Sequence, residues 1–365
     1  MIVSVPRESV PGERRVALVP ELVPTLSKAG LEVVVQAGAG AAAGFPDPSY
    51  LEKGARLEPD VFELADVLLK VQPPTINEIG KTKEGSILIG FLQPYTKGAE
   101  INALAARKVT GFSMELMPRI ARAQKMDALS SQSTVAGYMA ALLAASSTGR
   151  FFPMLVTAAG TVPPAKVLVL GAGVAGLQAI ATARRLGALV HGYDIRPAVK
   201  EQVESLGATF LSMEIDEDTE TAGGYGKELS EEAHRRELAF IAQHVKDADV
   251  VISTALIPGK RAPLLITAEA VEAMKRSSVI VDLAAEAGGN CALTQAGTQV
   301  VRHGVVILGP VNLSSRLPLH ASHMYSRNIS NFLLHLVRDG KLQLDFSDPI
   351  TSETCVTHEG KVRRS

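Results

Sequence analysis

One stretch constrains the fold more than any other: residues 165–197, AKVLVLGAGVAGLQAIATARRLGALVHGYDIRP. The run 167–170 (VLVL) is short, continuous and apolar, the pattern of a strand buried on both faces. It leads straight into Gly171, Ala172, Gly173, Val174, Ala175 and Gly176. A helical pattern rich in Ala and Leu follows over about 175–186, then a second apolar strand over 189–193, then Asp194. Strand, glycine turn, helix, strand and acid in this order predict a Rossmann-like βαβ unit within a doubly wound parallel sheet.

Each residue type in that unit has a physical reason. Gly171 lets the chain turn sharply out of the strand, Gly173 leaves room for a pyrophosphate to approach the backbone, and Gly176 lets the helix pack close to the sheet. The helix N-terminus adds free N–H groups and partial positive charge. Gly171, Ala172, Gly173, Val174 and Gly176 therefore form the candidate cofactor-binding turn. Asp194 sits where a carboxylate accepts hydrogen bonds from a ribose diol; it would repel a 2′-phosphate, which predicts NAD(H) over NADP(H). Arg196 is near enough to count with the same site and to temper that preference.

A chain of 365 residues is long enough for two domains, and 46% hydrophobic with 21% charged residues suits large cores. The net charge of −1 provides no basic field for nucleic acid and no polybasic patch for a membrane surface. Cys291 and Cys355 are the only cysteines and neither lies in a CxxC pattern, so a disulfide scaffold is not expected and a reducing cytoplasm fits. The start, MIVSVPRES, lacks a basic segment followed by an apolar one, so no signal peptide is expected. Residues 128–149 carry no charge, but only 135–145 are mainly apolar, short of the roughly 20 residues a membrane span needs. A buried helix is predicted there, with no direct membrane insertion.

Strand patterns recur early in the chain at 1–5, 31–35, 67–71, 87–90 and 109–113, with helical segments such as 20–29 and 97–107 between them. The alternation predicts a parallel sheet with helices on both faces. This first unit has no glycine fingerprint and is not expected to bind a dinucleotide by itself. Beyond the opening motif, strands are predicted at 208–211, 250–254, 278–282 and 305–308, and helices at 231–244 and 267–275. Residues 326–337 place Ile329, Phe332, Leu333, Leu336 and Val337 on one helical face. The tail after Gly340 has no strand–helix rhythm and is expected to return to the first unit. The expected architecture is two Rossmann-like α/β domains linked by two helices: 1–134 with 320–365, and 135–319.

Four segments carry candidate chemistry. In 114–133 (MELMPRIARAQKMDALSSQS), Arg119, Gln124, Asp127 and Ser130 supply a cation, an amide, a carboxylate and a hydroxyl that would fix a nicotinamide and its ribose; a polar interdomain loop fits the same spacing. Residues 211–230 form a long acidic insertion with a flexible centre at Gly223, Gly224, Tyr225 and Gly226, which reads as a lid that closes Tyr225 over ligand or as a solvated surface loop. In 254–259 (TALIPG), the backbone around Leu256 can border an adenosine. Asp282 and Glu286 are acid–base candidates for which a cap or turn role is commoner. His320 and His323 lack an acid and a third ligand at metal spacing, so no metal site is expected.

Taken together these segments resemble the NAD(H)-binding component, the alpha subunit or domain I, of proton-translocating NAD(P) transhydrogenase. The motifs are PRESVPGERRVALVP (6–20), MELMPRIARAQKMDALSSQS (114–133), TAAGTVPPA (157–165), GAGVAGLQAIATA (171–183), KEQVESLG (200–207), TAGGY (221–225), TALIPGK (254–260) and EAGGN (286–290), and they cover nearly the whole chain. The resemblance implies direct hydride exchange between NAD(H) here and NADP(H) on a separate subunit. It implies that Arg119, Gln124, Asp127 and Ser130 hold the nicotinamide end, that Asp194 is the ribose ligand and that Tyr225 is a mobile-loop tyrosine. It further implies a membrane-spanning partner that carries the protons, a place at the cytoplasmic face of the inner membrane held through partner subunits, and a homodimer whose contact hairpin matches 157–165.

A competing resemblance is to alanine dehydrogenase, which shares the fold. Arg15 and Lys70 match its substrate-binding positions, and its catalytic aspartate aligns with Glu286. Its catalytic histidine aligns with Gln93 in FLQPY (91–95), and without that histidine the usual proton acceptor for amine oxidation is missing. A regulatory module that only binds NAD is the non-enzyme alternative; the intact 119–130 segment argues against it.

Overall fold

The computed structural model describes residues 1–214, 217, 219, 226–227, 229–257 and 259–364. The chain divides into two compact units, Met1–Gln132 with Ser314–Ser365, and Ser133–Leu313. It passes from one to the other within the helix Ala128–Ser147 and returns at 313–314.

The first unit is built on β1 (Ile2–Val5), β2 (Glu32–Gln36), β3 (Arg56–Glu58), β4 (Val67–Leu69), β5 (Ile87–Gly90) and β6 (Thr110–Ser113). Their spatial order is β3-β2-β1-β4-β5-β6, and every neighbouring pair is parallel. This is the doubly wound order 3-2-1-4-5-6. Because side chains alternate along a strand, Val67, Leu69, Ile87 and Ile89 enter the core on one face, while Leu68 and Leu88 enter that on the other. Burial on both faces is why these strands read as unbroken apolar runs.

The second unit opens with a hairpin, β7 (Leu155–Thr157) and β8 (Gly160–Val162). Its sheet comprises β9 (Lys166–Leu170), β10 (Leu189–Tyr193), β11 (Thr209–Leu211), β12 (Val250–Ser253), β13 (Val279–Asp282), β14 (Gln299–Arg302) and β15 (Val305–Leu308). The order is β11-β10-β9-β12-β13-β15-β14, parallel except for the edge strand β14. Leaving out that edge, the second sheet has the same winding as the first. Val167 and Val169 face one core, Leu168 and Leu170 the other.

The tail departs from its featureless sequence. After β16 (Val337–Arg338), it contains β17 (Lys341–Leu342), a helix Pro349–Thr354, β18 (Cys355–His358) and β19 (Lys361–Val362). β18 runs antiparallel to β6 and extends the first sheet. Asp348 caps the helix by accepting from the Ile350 N–H at 2.9 Å, and Pro349 takes the first helical position, where its missing N–H costs nothing. Elements this short are too brief to display a period.

The helix predicted at 326–337 is Pro318–His335 and begins two turns earlier. Its first half holds buried serines in place of apolar residues. Ser322 Oγ accepts from the Val16 N–H and Ser326 Oγ from the Val19 N–H, each at 3.0 Å. These satisfied polar groups interrupt the apolar stripe. No helix of the described residues is long and apolar enough to cross a membrane.

Within the second unit, the helix Ala128–Ser147 meets the helix Val174–Arg185 where Gly137 lies against the backbone of Ala175. A Cβ at Gly137 would collide with the Ala175 carbonyl. Gly137→Ala should therefore destabilise the protein by about 1–3 kcal/mol, read as a lower urea midpoint. Gly149→Ala, where a Cβ meets nothing within 4 Å, is the control and should leave the midpoint unchanged.

Candidate nucleotide site

The glycine turn is assembled by close backbone approach. Gly171 leaves β9 with φ +95°, and its N–H donates to the Tyr193 carbonyl at 2.8 Å. A Cβ there would lie 2.7 Å from Thr254 Oγ1, which itself donates to the Gly171 carbonyl at 3.1 Å. A Cβ at Gly176 would collide with that same carbonyl, so the helix can sit on the strand only with glycine at this position. Gly173 differs: a Cβ there would meet nothing within 4 Å. Gly173 is also the N-cap of the helix Val174–Arg185, and no side chain caps the first turn. Open space beside uncapped N–H groups is what a pyrophosphate requires, so the residues fit a dinucleotide.

Asp194 follows β10 and reaches back to this turn. Its Oδ2 accepts from the Ala172 N–H at 2.7 Å. Arg196 closes over the same carboxylate, with its backbone N–H to Oδ1 at 2.9 Å, Nε to Oδ1 at 2.8 Å and Nη2 to Oδ2 at 2.8 Å. Both side chains are largely covered, 13% exposed for Arg196 and 7% for Asp194. Beneath them, the Tyr193 hydroxyl donates to Glu237 Oε1 at 3.0 Å, and His234 Nδ1 lies 3.0 Å from Glu237 Oε2. Burial, only partly offset by His234 and Tyr193, raises the Glu237 carboxyl above its ordinary value.

Leu256 is exposed on the loop after β12. Asn290, fully buried, ties that loop down: it bonds the Ala255 N–H at 3.1 Å and the Ala255 and Pro263 carbonyls at 2.9 and 2.8 Å. Sequence reasoning placed Asn290 and Thr254 in motifs without giving either this anchoring role. Asp282 has the partners of a turn residue. It is fully buried and accepts from Ser253 Oγ, Thr294 Oγ1 and the N–H groups of Ala284 and Cys291, which makes it the fastener of a turn. Glu286 is exposed, and one of its oxygens accepts from the Asn312 N–H at 3.3 Å. Gly224 and Tyr225 lie outside the described residues.

The 114–133 segment belongs to the first unit up to Gln132. Its middle is the 3-10 helix Ala121–Met126, held by a two-pronged ion pair from Arg122 to Asp348 at 2.9 Å and by Asn328 donating to the Lys125 carbonyl at 2.9 Å. Asp127 and Ser130 are brought together: Ser130 N–H and Oγ both donate to the carboxylate, at 2.8 and 2.6 Å, at the start of the helix Ala128–Ser147. Arg119 stands exposed on the loop before that 3-10 helix, and Gln124 is exposed within it.

At the carboxyl ends of β1 and β4, where the winding of the first sheet reverses, lies a cluster of buried charge. Glu13 binds Arg15 through both oxygens, Nε to Oε1 at 2.8 Å and Nη2 to Oε2 at 2.6 Å, and takes a bond from Gln72 at 2.8 Å. Arg15 reaches on to Gln132 Oε1 at 2.8 Å. Lys70, fully buried, lies 3.3 Å from Glu8 and 3.4 Å from Glu78. Burial raises the Glu8 carboxyl despite Lys70, whereas at Glu13 burial is outweighed by Arg15 and Gln72, which hold it down at about 2. Gln93 is exposed with φ +50°, and its N–H donates to Glu115 Oε1 at 2.6 Å. Among the described residues, no group of three or more His, Cys, Asp or Glu is placed to hold a metal ion.

Known proteins agree with this architecture along the whole chain. The family model described as alanine dehydrogenase/PNT, N-terminal domain, matches residues 4–136, and the one described as alanine dehydrogenase/PNT, C-terminal domain, matches 140–365. An NAD(P) transhydrogenase subunit alpha polypeptide of Rhodospirillum rubrum is 48% identical, over 99% of this chain and 97% of its own length. The crystal structure of transhydrogenase from Sinorhizobium meliloti superposes with a TM-score of 0.90 at 45% identity, over 99% of this chain and 100% of that one. Alanine dehydrogenase 2 of Staphylococcus aureus is 30% identical, over 99% of this chain and 94% of its own length.

The buried Glu13–Arg15 pair makes a measurable claim. Glu13→Gln leaves the Arg15 guanidinium without its counter-charge and should cost on the order of 3 kcal/mol in urea unfolding at neutral pH. Because folding lowers the Glu13 carboxyl from 4.5 to about 2, its contribution is present above pH 4.5 and is lost as the pH falls toward 2. Parent and variant should therefore converge in stability across that window.

Proposed function

Because this chain belongs to the alanine dehydrogenase/PNT family, whose two domain models together span it, we propose that it is the NAD(H)-binding component of a proton-translocating NAD(P) transhydrogenase. The observation that carries this reading over an amino-acid dehydrogenase is Gln93. It stands, exposed, where the resemblance to alanine dehydrogenase requires a histidine, and a side-chain amide does not take up a proton at neutral pH.

On this reading the turn from Gly171 through Ala172, Gly173 and Val174 to Gly176 receives the pyrophosphate, Asp194 the adenosine ribose, and the Leu256 loop borders the adenosine. Arg119, Gln124, Asp127 and Ser130 orient the nicotinamide end, with the Asp127–Ser130 bond fixing one side of that set. Gly224 and Tyr225 close over the bound nucleotide. The nicotinamide supplies the hydride, exchanged with NADP(H) on a partner subunit. Both reactants are then cofactors, so the protein's task is position rather than proton transfer. A separate membrane-spanning subunit couples the exchange to proton movement and holds the chain at the cytoplasmic face of the inner membrane. The hairpin β7–β8 and the segment before it present Val156, Met154 and Phe151 at 79%, 59% and 58% exposure, an apolar surface suited to the contact of a homodimer.

Two outcomes test this. With NAD and alanine the protein should show no reduction above background, while hydride exchange should appear when the NADP(H)-binding partner is added; robust alanine turnover would place the dehydrogenase reading first. Arg119→Ala should slow single-turnover hydride transfer by roughly 10–100-fold at saturating NADH while weakening NADH binding less, since small errors of placement are costly. A parental transfer rate at saturation would make the 119–130 loop merely structural.

A further inference from the structure

A 3-10 helix turns once in three residues, so side chains three apart share a face. In the 3-10 helix Ala121–Met126 the faces are Ala123 with Met126, Arg122 with Lys125, and Ala121 with Gln124. The first is held by packing: Ala123 is fully buried and Met126 lies against the same core of the first unit. The second is held by polar bonds. The Arg122 side chain grips Asp348 through Nη1 and Nη2, each at 2.9 Å, and the Lys125 carbonyl accepts from Asn328 and Asn331 at 2.9 and 3.4 Å. The third face, with Gln124, is exposed. With two faces held, the direction of the third is set.

Asp348 is itself a fixed post. Its Oδ1 accepts from the Ile350 N–H at 2.9 Å and so caps the helix Pro349–Thr354, which runs directly into β18 and its pairing with β6. His335 Nε2, at the end of the helix Pro318–His335, lies 3.7 Å from Oδ2. Hydrogen bonding from Arg122 outweighs burial and holds the Asp348 carboxyl below its ordinary value, so the carboxylate is charged at neutral pH. Arg122 is 60% exposed and Asp348 16%. A pair this open adds little to stability, but a planar fork on a carboxylate fixes direction as well as charge.

We propose that Arg122 and Asp348 are positioning residues for hydride transfer: the pair fixes the direction in which the 3-10 helix presents Gln124, the amide assigned above to the nicotinamide end. The proposal rests on that assignment. Both groups act through Gln124 rather than on the nucleotide, and the tail of the chain, which carries no motif of its own, takes part in the reaction by supplying Asp348.

The experiment is single-turnover hydride transfer at saturating NADH, with the full chain and its NADP(H)-binding partner, beside calorimetry of NADH binding. Arg122→Gln and Asp348→Asn should each slow transfer by roughly 3–10-fold and leave NADH affinity within about threefold of the parent. Asp348→Asn keeps an oxygen to cap the helix, and Arg122→Gln alters an exposed side chain; if Asp348→Asn does not fold, Arg122→Gln carries the test. Gln124→Ala should slow transfer by itself, and in its background either variant should cost less than about twofold more, since residues that act through one group are not additive. Glu84→Gln breaks another exposed ion pair of the first unit, to Lys108, and should leave transfer unchanged. Parental transfer in Arg122→Gln, an equal loss in Glu84→Gln, or an undiminished further loss in the Gln124→Ala background would each overturn the proposal. Parental transfer in Gln124→Ala would overturn the nicotinamide assignment along with it, whereas a slow Gln124→Ala beside an unaffected Arg122→Gln overturns the positioning role alone.

Discussion

The second unit depends on one contact, the approach of the helix at Gly176 to the carbonyl of Gly171. Any side chain at Gly176 would strike that carbonyl, and the same oxygen receives a hydrogen bond from Thr254 Oγ1 across the neighbouring strand. The end of β9, the start of the helix and the end of β12 are thus joined at one backbone atom. The join lies between the two strands at which the winding of the sheet reverses. With the helix seated there, its uncapped first turn and the open side of Gly173 face the crevice in which doubly wound sheets bind nucleotides. Asp194 completes the join from the other side through its bond to the Ala172 N–H.

The first unit has the same strand order but fills the corresponding place with buried charge. Glu13 with Arg15, and Lys70 with Glu8 and Glu78, sit where the glycine turn sits in the second unit. Burying ions is costly unless every group is paired, and these pairs are completed by neutral donors and acceptors, Gln72 on Glu13 and Gln132 on Arg15. The Tyr325 hydroxyl closes the cluster by donating to the Lys70 carbonyl at 2.6 Å. One winding order therefore supports two different contents at the reversal point: room for phosphate in one unit, and a salt-bridged network in the other.

The sequence made legible whatever repeats or is doubly buried. The β9-turn-β10 unit and strands such as β5 and β13 follow from apolar runs alone, and glycine at 171 and 176 reads as a tight turn and a close helix approach, which the backbone contacts there require. Pairing that depends on distant partners was hidden. Ser322 and Ser326 broke the apolar stripe of the helix Pro318–His335 because they serve the backbone at Val16 and Val19. β18 has no signal of its own, since its register is set by β6, more than 200 residues earlier. Asn290 read as part of a motif, yet its amide ties a loop 35 residues away. Arg196 was visible beside Asp194, but spacing does not tell a neighbouring cation from one clasped to the carboxylate.

The glutamine at position 93 bears on the choice between the two proposed reactions. An amino-acid dehydrogenase must remove a proton as well as a hydride, so it needs an acceptor aimed at the substrate nitrogen. Exchange of a hydride between two nicotinamides moves no such proton, and a glutamine at position 93 then costs nothing. What such a reaction does require is that both rings be held at short, fixed separation, a demand on placement alone. Under that demand the charges around Arg15 and Lys70 can serve internal pairs.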